Sequence, residues 1–324
     1  MVSLDLIKKP IQKEFDMFQT AFENELKSNN EIISSVNQHI LKKRGKQIRP
    51  LLTLLSAKSV GDINDNTIKC AISLEILHTA SLIHDDVVDE SNERRNQPSV
   101  NALWNNKISI LAGDYLLSLS LSVCNQTNNY KIMEKITQLG KNLSEGELLQ
   151  ITNIKNFNCQ EDKYLEVIKK KTAALFDTCT YMGAVSTNCT EEESRMMEKF
   201  GEIYGICFQI KDDIFDFIST HEEIGKPVGN DIREGKITLP LIYALNKNKE
   251  EKEQYLNIIK NKEFSKENIK KLIDFTINSG GIEYAEQKIQ EYIKEGEKLI
   301  ENIENKDIRN SLIMMLKHTA ERKK

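Results

Sequence analysis

Two groups of three aspartates share one spacing, i, i+1, i+4: Asp85, Asp86 and Asp89 in the first group, and Asp212, Asp213 and Asp216 in the second. On a helix, residues i and i+4 face the same way, and residue i+1 lies about 100° round the axis. Each group therefore brings two or three carboxylates toward one point. Mg²⁺ prefers such oxygen ligands and takes others from substrate phosphates. One group alone fits a solvated acidic helix end equally well, but two facing helices predict bound Mg²⁺ ions that hold a diphosphate.

Basic residues flank both groups. Lys46 and Arg49 precede Pro50, Arg94 and Arg95 follow the first group, and Lys171 with Thr172 ends a KKKT run. A glycine-punctuated loop after the second group carries three more cations: Lys226, Arg233 and Lys236. Arginine offers forked donors to phosphate oxygens, and lysine offers a mobile point charge. Each of these residues alone fits an ordinary surface position, but together they are numerous enough for two separate diphosphates.

Composition excludes several classes of protein. The chain has 324 residues, with 45 Lys and Arg against 49 Asp and Glu, so no general basic field attracts nucleic acid. No uninterrupted apolar run reaches the length of a membrane span, and the first residues lack a signal-peptide core, so we expect a cytoplasmic protein with no membrane span. The six cysteines form no CxxC pair, and the five histidines are too few to favour a histidine-built metal site.

Helix signals dominate the chain. No proline lies between Ser99 and Lys226, and Ile68–His84 is apolar on too many faces for a surface helix. Thr190 and Glu193 predict a capped helix start. One face of a late amphipathic helix is predicted at Ala285, Ile289, Ile293, Ile300 and Ile303, while the polar stretch 247–267 is interpreted as a mobile connection. We predict one all-α domain over residues 1–324, because neither repeats nor composition breaks divide the chain.

The motifs resemble those of trans-polyprenyl diphosphate synthases of the isoprenoid synthase family, the long-chain octaprenyl and heptaprenyl type. The resemblance runs from about Lys42 to Leu241 through GKQIRP, HTASLIHDDVVD, ERR, GDYLL, KKT, FQIKDDIFD and GKPVGNDIREGKITLP, in the family's order. Beyond Leu241 the chain matches the family only in being helical. The resemblance implies a bundle of long helices around a deep central cavity, and a homodimer.

The resemblance also implies roles for single residues. Asp85, Asp86 and Asp89 bind Mg²⁺ and through it the allylic diphosphate; Asp212 binds a further Mg²⁺, with Asp213 and Asp216 as supporting groups and three ions in all. The allylic substrate, farnesyl diphosphate or a similar one, contacts Arg94, Lys171, Thr172, Gln209, Lys226 and Lys236. Isopentenyl diphosphate, bound without metal, contacts Lys46, Arg49, His78 and Arg95. By itself, His78 fits a satisfied core histidine.

The reaction implied is trans head-to-tail condensation. Mg²⁺ and the cations stabilise charge on the departing allylic diphosphate, and the double bond of isopentenyl diphosphate attacks the resulting carbocation. The released diphosphate is the family's base, so no protein base is needed. The loop 225–236 is interpreted as a lid that excludes water.

Product length depends on the apolar wall before the first aspartates. Short-chain relatives usually carry a bulky aromatic four or five residues before Asp85, where this chain has Ser81 and Ala80. Small side chains leave a tunnel open, and this predicts a C30–C50 product, with a quinone side chain as its destination by analogy. Leu77 and Leu74, one and two turns deeper, are candidate floor residues.

Three alternatives stay open at this point. A short-chain farnesyl or geranylgeranyl synthase differs only in product length. A terpene cyclase shares an aspartate-rich helix but normally has an Asn/Ser/Glu-type second motif and no GKxxRP-like site. A non-catalytic helical regulatory or scaffold subunit would tend to have lost its metal aspartates. The motifs favour a synthase over a cyclase or such a subunit, while the choice between a chain that acts alone and a subunit of a heteromeric synthase stays open.

Overall fold

The computed structural model describes residues 3–43, 45–218 and 229–322. In these ranges the chain forms α-helices almost throughout, which confirms the all-α prediction. The helices are α1 Leu4–Lys8, α2 Gln12–Glu25, α3 Glu31–Lys42, α4 Ile48–Val60, α5 Asp65–Val88, α6 Val100–Trp104, α7 Asn106–Asn125, α8 Tyr130–Lys155, α9 Glu161–Ile168, α10 Ala174–Val185, α11 Glu191–Ile218, α12 Asn230–Arg233, α13 Leu239–Lys247, α14 Lys252–Lys260, α15 Lys266–Asn278, α16 Gly281–Leu299 and α17 Lys306–Glu321. A 3₁₀ turn, Lys9–Ile11, joins α1 to α2, and a π-helical turn, Lys169–Ala173, joins α9 to α10.

The only strands in the described ranges form a small antiparallel hairpin after α5. Its strands are β1 Glu93–Arg94 and β2 Gln97–Pro98, and Arg94 pairs with Gln97. Arg95 and Asn96, in the turn between them, both have positive φ. The hairpin reverses the chain immediately after the first aspartates, so it returns Arg94 and Arg95 to the same end of the bundle.

Helix α5 is the central helix of the bundle. Its start is fixed by a capping box, in which the Asn64 side chain accepts from the backbone N–H of Thr67 and the Thr67 hydroxyl accepts from that of Asn64. Apolar residues on several faces are buried, as the sequence indicated. Helices α2, α4, α6, α7 and α10 all pack against α5. Surrounded in this way, α5 carries its last turn, with Asp85 and Asp86, to a fixed place at the end of the bundle.

Helix α11 is the opposite wall. Its predicted cap is present, since the Thr190 hydroxyl accepts from the Glu193 backbone N–H at 3.2 Å and the Glu193 carboxylate accepts from the Thr190 N–H at 2.8 Å. The helix continues to Ile218 and packs against α10, the π-helical turn and α16. Its C-terminal turns therefore bring the second aspartate group to the same end of the bundle as α5.

Two expectations about the C-terminal region were wrong. The stretch 247–267 contains α14, because Leu256 and Ile259 bury their side chains against the body of the protein. The predicted amphipathic helix is α16, but it ends at Leu299, so Ile300 and Ile303 follow it as buried loop residues. Apolar periodicity reports burial, and a buried loop can extend the pattern of the preceding helix.

Among the residues described, α7 is the one helix whose length and composition alone would allow it to cross a membrane. Its mean hydropathy over an 18-residue window is 1.4, and 39% of that window is buried inside the protein. One side packs on α5, where the hydroxyls of Ser73 and Ser120 donate to each other's backbone carbonyls at 2.9 and 2.8 Å. The opposite side leaves Ile110, Leu111 and Leu117 exposed. The high hydropathy therefore reflects two apolar faces, one of which contacts the core.

Candidate active site

The three aspartates of the first group differ in their exposure. Asp85 and Asp89 expose their side chains at the end of α5, whereas Asp86 is buried. Asp86 Oδ1 accepts from both Nε and Nη2 of Arg94 at 2.7 Å. Partial burial, reinforced by the Asp89 and Glu147 carboxylates and opposed by Lys171, raises the pKa of Asp85. Asp85 thus lines the main cavity, Asp89 is exposed at the helix end beside it, and Asp86 orients Arg94.

The three aspartates of the second group have different partners. Asp212 pairs with Arg322 at 2.8 Å. Asp213 is buried and accepts from the Tyr164 hydroxyl at 2.6 Å and from the Gln209 amide at 2.7 Å. Asp216 accepts from the first two backbone N–H groups of α12 at 2.9 and 3.0 Å. The protein holds Asp213 and Asp216 through these donors, so they fit the predicted supporting role, whereas Asp212 is paired with the Arg322 cation.

A chain of hydrogen bonds joins the second group to the π-helical turn. The Thr172 hydroxyl donates to the Gln209 side-chain oxygen at 2.7 Å, and the Gln209 amide donates to Asp213. The extra residue of a π-turn rotates the side chains that follow it, and such turns recur at functional sites. Here the turn directs both Lys171 and Thr172 into the cavity between α5 and α11.

Helix α8 forms a third wall with its own carboxylate. Glu147 pairs with Lys171, and Gln150 donates to the other Glu147 oxygen at 3.0 Å. The preceding residue must be glycine, because a Cβ at Gly146 would stand 2.8 Å from the Lys171 backbone nitrogen. Close packing of α8 on the π-helical turn therefore fixes the Lys171–Glu147 pair opposite Asp85.

A second, basic cavity of about 350 Å³ adjoins these walls. Its cationic side chains are Lys46, Arg49, Arg95 and Arg322. Arg49 is fixed over the Phe176 ring, with its guanidinium carbon 4.9 Å from the ring centroid. The Arg95 guanidinium lies against Gly45, where a Cβ would come within 2.6 Å of Nη2. Four cations around one space of this size fit a diphosphate.

Two titratable side chains, Glu75 and His78, lie beside these arginines. The buried Glu75 carboxyl also lines the cavity, and burial raises its pKa against the opposing effect of Arg49 and Arg95. Burial, together with those two arginines and Arg94, holds the pKa of His78 well below its usual range. His78 is therefore neutral, and it lies between the hairpin side of α5 and the main cavity. A neutral imidazole can donate one hydrogen bond to a phosphate oxygen without adding charge.

The main cavity, of about 450 Å³, extends from Asp85 along α5. Its apolar lining includes Leu77, Ala80, Ser81, Leu117, Leu143 and Leu175. Leu74 is fully buried and does not line it. Ala80 and Ser81 thus occupy the predicted position at the wall, Leu77 lies deeper in it, and Leu74 lies in the core behind.

The remaining predicted cation positions fall on the loop after α11. Lys226 lies outside the described residues, as does the first part of the predicted lid. Lys236 forms ion pairs with Asp231 at 3.6 Å and Glu234 at 2.5 Å, and it lines a cavity with Lys171, Gln209 and Asp213. The carboxylates of Asp231, Glu234 and Asp89 outweigh the effect of burial and raise the pKa of Lys236. Lys236 therefore faces the cavity on the side of the second aspartate group.

The donor set fits hard divalent cations. In the part of the chain that the structure describes, no three His, Cys, Asp or Glu side chains are grouped closely enough to hold a metal by themselves. Asp85, Asp89 and Asp212 offer only carboxylate oxygens, with lysine and arginine around them. Mg²⁺ usually takes one or two protein carboxylates and completes its shell with water and substrate phosphate, so these sites fit ions that bind together with a diphosphate.

Sequence reasoning missed three residues of the site: Glu147, Tyr164 and Arg322. Tyr164 lies seven residues before Lys171, about two helical turns, and that spacing could have indicated it. Glu147 and Arg322 reach the site only through the packing of α8 and α17. No spacing relative to the aspartate motifs could have indicated them.

The fold and these motifs together define the class of protein to which the chain belongs, and comparison with known families gives the same class. Residues 30–276 match the family model of Polyprenyl synthetase, and the chain belongs to that family, whose members are prenyltransferases. Among curated proteins it is 35% identical to component 2 of heptaprenyl diphosphate synthase from Bacillus subtilis (strain 168), over 97% of this chain and 89% of that one.

Solved structures agree. A polyprenyl synthase from Caulobacter crescentus CB15, complexed with calcium and isoprenyl diphosphate, superposes with a TM-score of 0.92 at 29% identity, over 99% of this chain and 98% of the other. A geranylgeranyl pyrophosphate synthase from Bacteroides thetaiotaomicron gives 0.84 at 42% identity, over 98% and 99% of the two chains. The predicted family is confirmed, and relatives include both long- and short-chain enzymes.

Proposed function

We propose that this prenyltransferase elongates an allylic diphosphate by successive trans condensations with isopentenyl diphosphate, and that it depends on Mg²⁺. The observation that carries the proposal is the placement of two aspartate-bearing helix ends and two cationic regions around adjoining cavities, one of which continues into an apolar pocket. A terpene cyclase has no use for the second cationic cavity. The allylic diphosphate fits the aspartate end of the main cavity, and the second diphosphate fits the basic cavity. The growing hydrocarbon fits the apolar part of the main cavity.

The residues divide between the two substrates. Asp85, Asp89 and Asp212 would hold the Mg²⁺ ions, which supply positive charge for the departing allylic diphosphate. Lys171, with Thr172 beside it, faces the same space and binds the oxygens of that leaving group. Before substrate binds, Glu147 keeps the Lys171 ammonium extended toward the cavity.

The nucleophilic substrate occupies the basic cavity. Lys46, Arg49 and Arg95 bind its diphosphate through charge-assisted hydrogen bonds, and neutral His78 donates one more. His78 lies between the hairpin side of α5, where Arg95 also lies, and the main cavity, so it would orient the isopentenyl double bond toward the allylic carbon. The released diphosphate takes the proton that the new carbocation loses, and this completes each cycle. No protein base is therefore required.

The pocket beside Ala80 and Ser81 supports a long product, of C30–C50, for a quinone side chain. The heptaprenyl relative supports the same length. A short-chain product is the second candidate, favoured by the 42% identity to a geranylgeranyl pyrophosphate synthase. Chromatography of the extracted product, made by the purified chain from farnesyl diphosphate and labelled isopentenyl diphosphate, separates the two lengths.

A homodimer is proposed from the apolar surface of α6, α7 and α8. Apolar side chains exposed on these helices, away from the main cavity, are Leu103, Ile110, Leu111, Leu148 and Ile151, with 40–65% of each exposed. Exposed apolar side chains on three consecutive helices support an interface on this side of the protein. Light scattering of Leu111→Lys should show monomers, whereas Ile32→Lys, at an exposed apolar residue of α3, should remain dimeric. A heteromeric assembly would instead leave the purified wild-type chain monomeric and inactive until its partner is added.

The central test is incorporation of labelled isopentenyl diphosphate into extractable lipid. We expect incorporation with Mg²⁺, none in EDTA, and recovery when Mg²⁺ is restored. Asp85→Asn and Asp212→Asn should each reduce it at least about 100-fold, the order of loss when one charge-stabilising group of a catalytic site is removed. Cyclic hydrocarbons as products, or activity in EDTA equal to that in Mg²⁺, would refute the proposal.

A further inference from the structure

The basic cavity takes its cations from segments that are far apart in the sequence. Lys46 and Arg49 lie at the start of α4, whereas Arg95 lies in the turn of the hairpin that follows α5. One diphosphate can contact all three cations only if the two segments keep a fixed distance from each other, because a shift of about 0.5 Å already spoils the geometry of a binding site. A contact that joins the segments therefore affects how well the cavity binds its ligand.

Lys43, which directly follows α3, makes such a contact. Its Nζ donates to the backbone carbonyl of Arg95 at 3.2 Å and to that of Asn96 at 2.9 Å. In the opposite direction, Nη1 of Arg95 donates to the Lys43 carbonyl at 3.3 Å. The same guanidinium lies against Gly45, two residues further along the chain. We call these three hydrogen bonds and this close approach the Lys43 clasp.

The hairpin turn has a conformation that needs support from outside. Both of its central residues have positive φ, 55° at Arg95 and 57° at Asn96. Two-residue hairpin turns of this kind favour Asn followed by Gly, whereas an arginine at the first position carries the steric cost of a Cβ in the left-handed region. Such a conformation persists where the surrounding structure holds it. Because Lys43 binds both carbonyls of the turn at once, it opposes relaxation of the turn and keeps Arg95 directed at the basic cavity.

Lys43 acts from outside the basic cavity. Its side chain is exposed, and it is not part of the wall that Lys46, Arg49 and Arg95 form. It lines instead a separate pocket of about 80 Å³ beside the hairpin, and Arg95 lines both spaces. Arg95 is therefore the residue through which Lys43 can influence a diphosphate in the basic cavity.

We propose that Lys43 is a positioning residue for isopentenyl diphosphate, and that its bonds to the turn carbonyls hold the Arg95 guanidinium in register with Lys46 and Arg49. The inference rests on the proposed function, because it assigns the basic cavity to that substrate. Arg94, the neighbouring cation, has its own anchor on Asp86. Loss of the Lys43 clasp should therefore weaken binding of one substrate and spare the other.

Lys43→Met tests the proposal, because it removes the ammonium and keeps an unbranched stem. Isopentenyl diphosphate is titrated calorimetrically, without turnover, into full-length enzyme that contains Mg²⁺ and farnesyl thiolodiphosphate, an allylic analogue chosen because it ionises poorly. We expect the Kd to rise about fivefold, or about 1 kcal/mol, the order of the net contribution of one hydrogen bond. In steady-state assays the KM for farnesyl diphosphate and kcat should change less than about twofold, because the clasp does not touch the allylic site.

Three companion variants sharpen the test. Lys43→Arg should recover most of the affinity, because a guanidinium can also donate to two carbonyls. Lys43→Ala should give the same loss as Lys43→Met, so the inference stays testable if one variant folds poorly. Lys42→Met is the matched control, since Lys42 is the exposed preceding residue and its loss changes the net charge equally; it should match the wild type.

A double-mutant cycle tests the route through Arg95. In an Arg95→Gln background, Lys43→Met should weaken binding of isopentenyl diphosphate by less than about twofold, because the guanidinium that the clasp positions is already gone. The full loss in that background would show that Lys43 contacts the diphosphate itself or acts on another group. Either outcome would overturn the inference.

Other results would also overturn it. An unchanged Kd in Lys43→Met, even with a lower melting temperature, would leave Lys43 as a structural tie only. An equal loss in Lys42→Met would indicate general electrostatics, and an equal rise in the KM for farnesyl diphosphate would indicate general loosening of the site. Failure of the wild type to bind isopentenyl diphosphate would instead refute the proposed function.

Discussion

Replacing Ala80 with phenylalanine should shorten the product by at least one isoprene unit. Along α5, Ala80 lies about 7.5 Å beyond Asp85, Leu77 about 12 Å and Leu74 about 16.5 Å, at 1.5 Å per residue. An isoprene unit adds four chain bonds, about 4.5 Å, since three extended backbone bonds span about 3.5 Å. A ring at position 80 blocks the wall from Ala80 to the level of Leu77, about 4.5 Å deeper, which is the length of one isoprene unit. The product should therefore fall toward farnesyl or geranylgeranyl length.

The assay is chromatography of the dephosphorylated products, with turnover measured as total isopentenyl diphosphate consumed. Ala80 is 2% exposed, so part of the new ring overpacks the core at a cost of about 1–3 kcal/mol. Ser81→Phe is the companion variant, since Ser81 is less buried and its ring enters the cavity more readily. Ser81→Ala should leave product length unchanged, because it adds no volume. Wild-type product length in both phenylalanine variants would refute the assignment of this wall to the growing chain.

Three further predictions concern the polar walls. Tyr164→Phe removes the hydroxyl donor of buried Asp213, so the free energy of unfolding in EDTA should fall by about 1–3 kcal/mol; an unchanged value from denaturant melts would mean that Asp213 needs no such donor. Lys171→Gln should raise the KM for the allylic diphosphate at least about tenfold while leaving the Kd for isopentenyl diphosphate within about twofold, and equal effects on both would contradict the division of sites. Burial, with the Asp231 carboxylate, raises the pKa of Asp216 to about 6. The folded state therefore holds the carboxyl proton of Asp216 more tightly than the unfolded state does. The stability that this proton contributes is lost as the pH rises from about 4 through 6. Melts of the metal-free protein should then show Asp216→Asn gaining stability relative to wild type over that range, and parallel pH profiles would show that this carboxyl does not titrate there.

The sequence by itself determined the helical class, the family and the walls of the site. Helical geometry links residues i and i+4 without reference to the rest of the chain, so the aspartate spacings already placed two carboxylates on one face. The position of Ala80 and Ser81 relative to Asp85 followed from the same geometry. Such local relations hold because backbone hydrogen bonds fix each helix internally.

Only the tertiary structure decided which members of each group face the cavity. Asp86 has the same local spacing as its neighbours, but Arg94 binds it within the protein because the hairpin after α5 returns that arginine to the helix end. Glu147 and Arg322 became site residues through the packing of α8 and α17, helices far along the chain from both motifs. Contacts between such distant segments depend on how apolar faces bury one another, and periodicity within one segment carries no information about that arrangement.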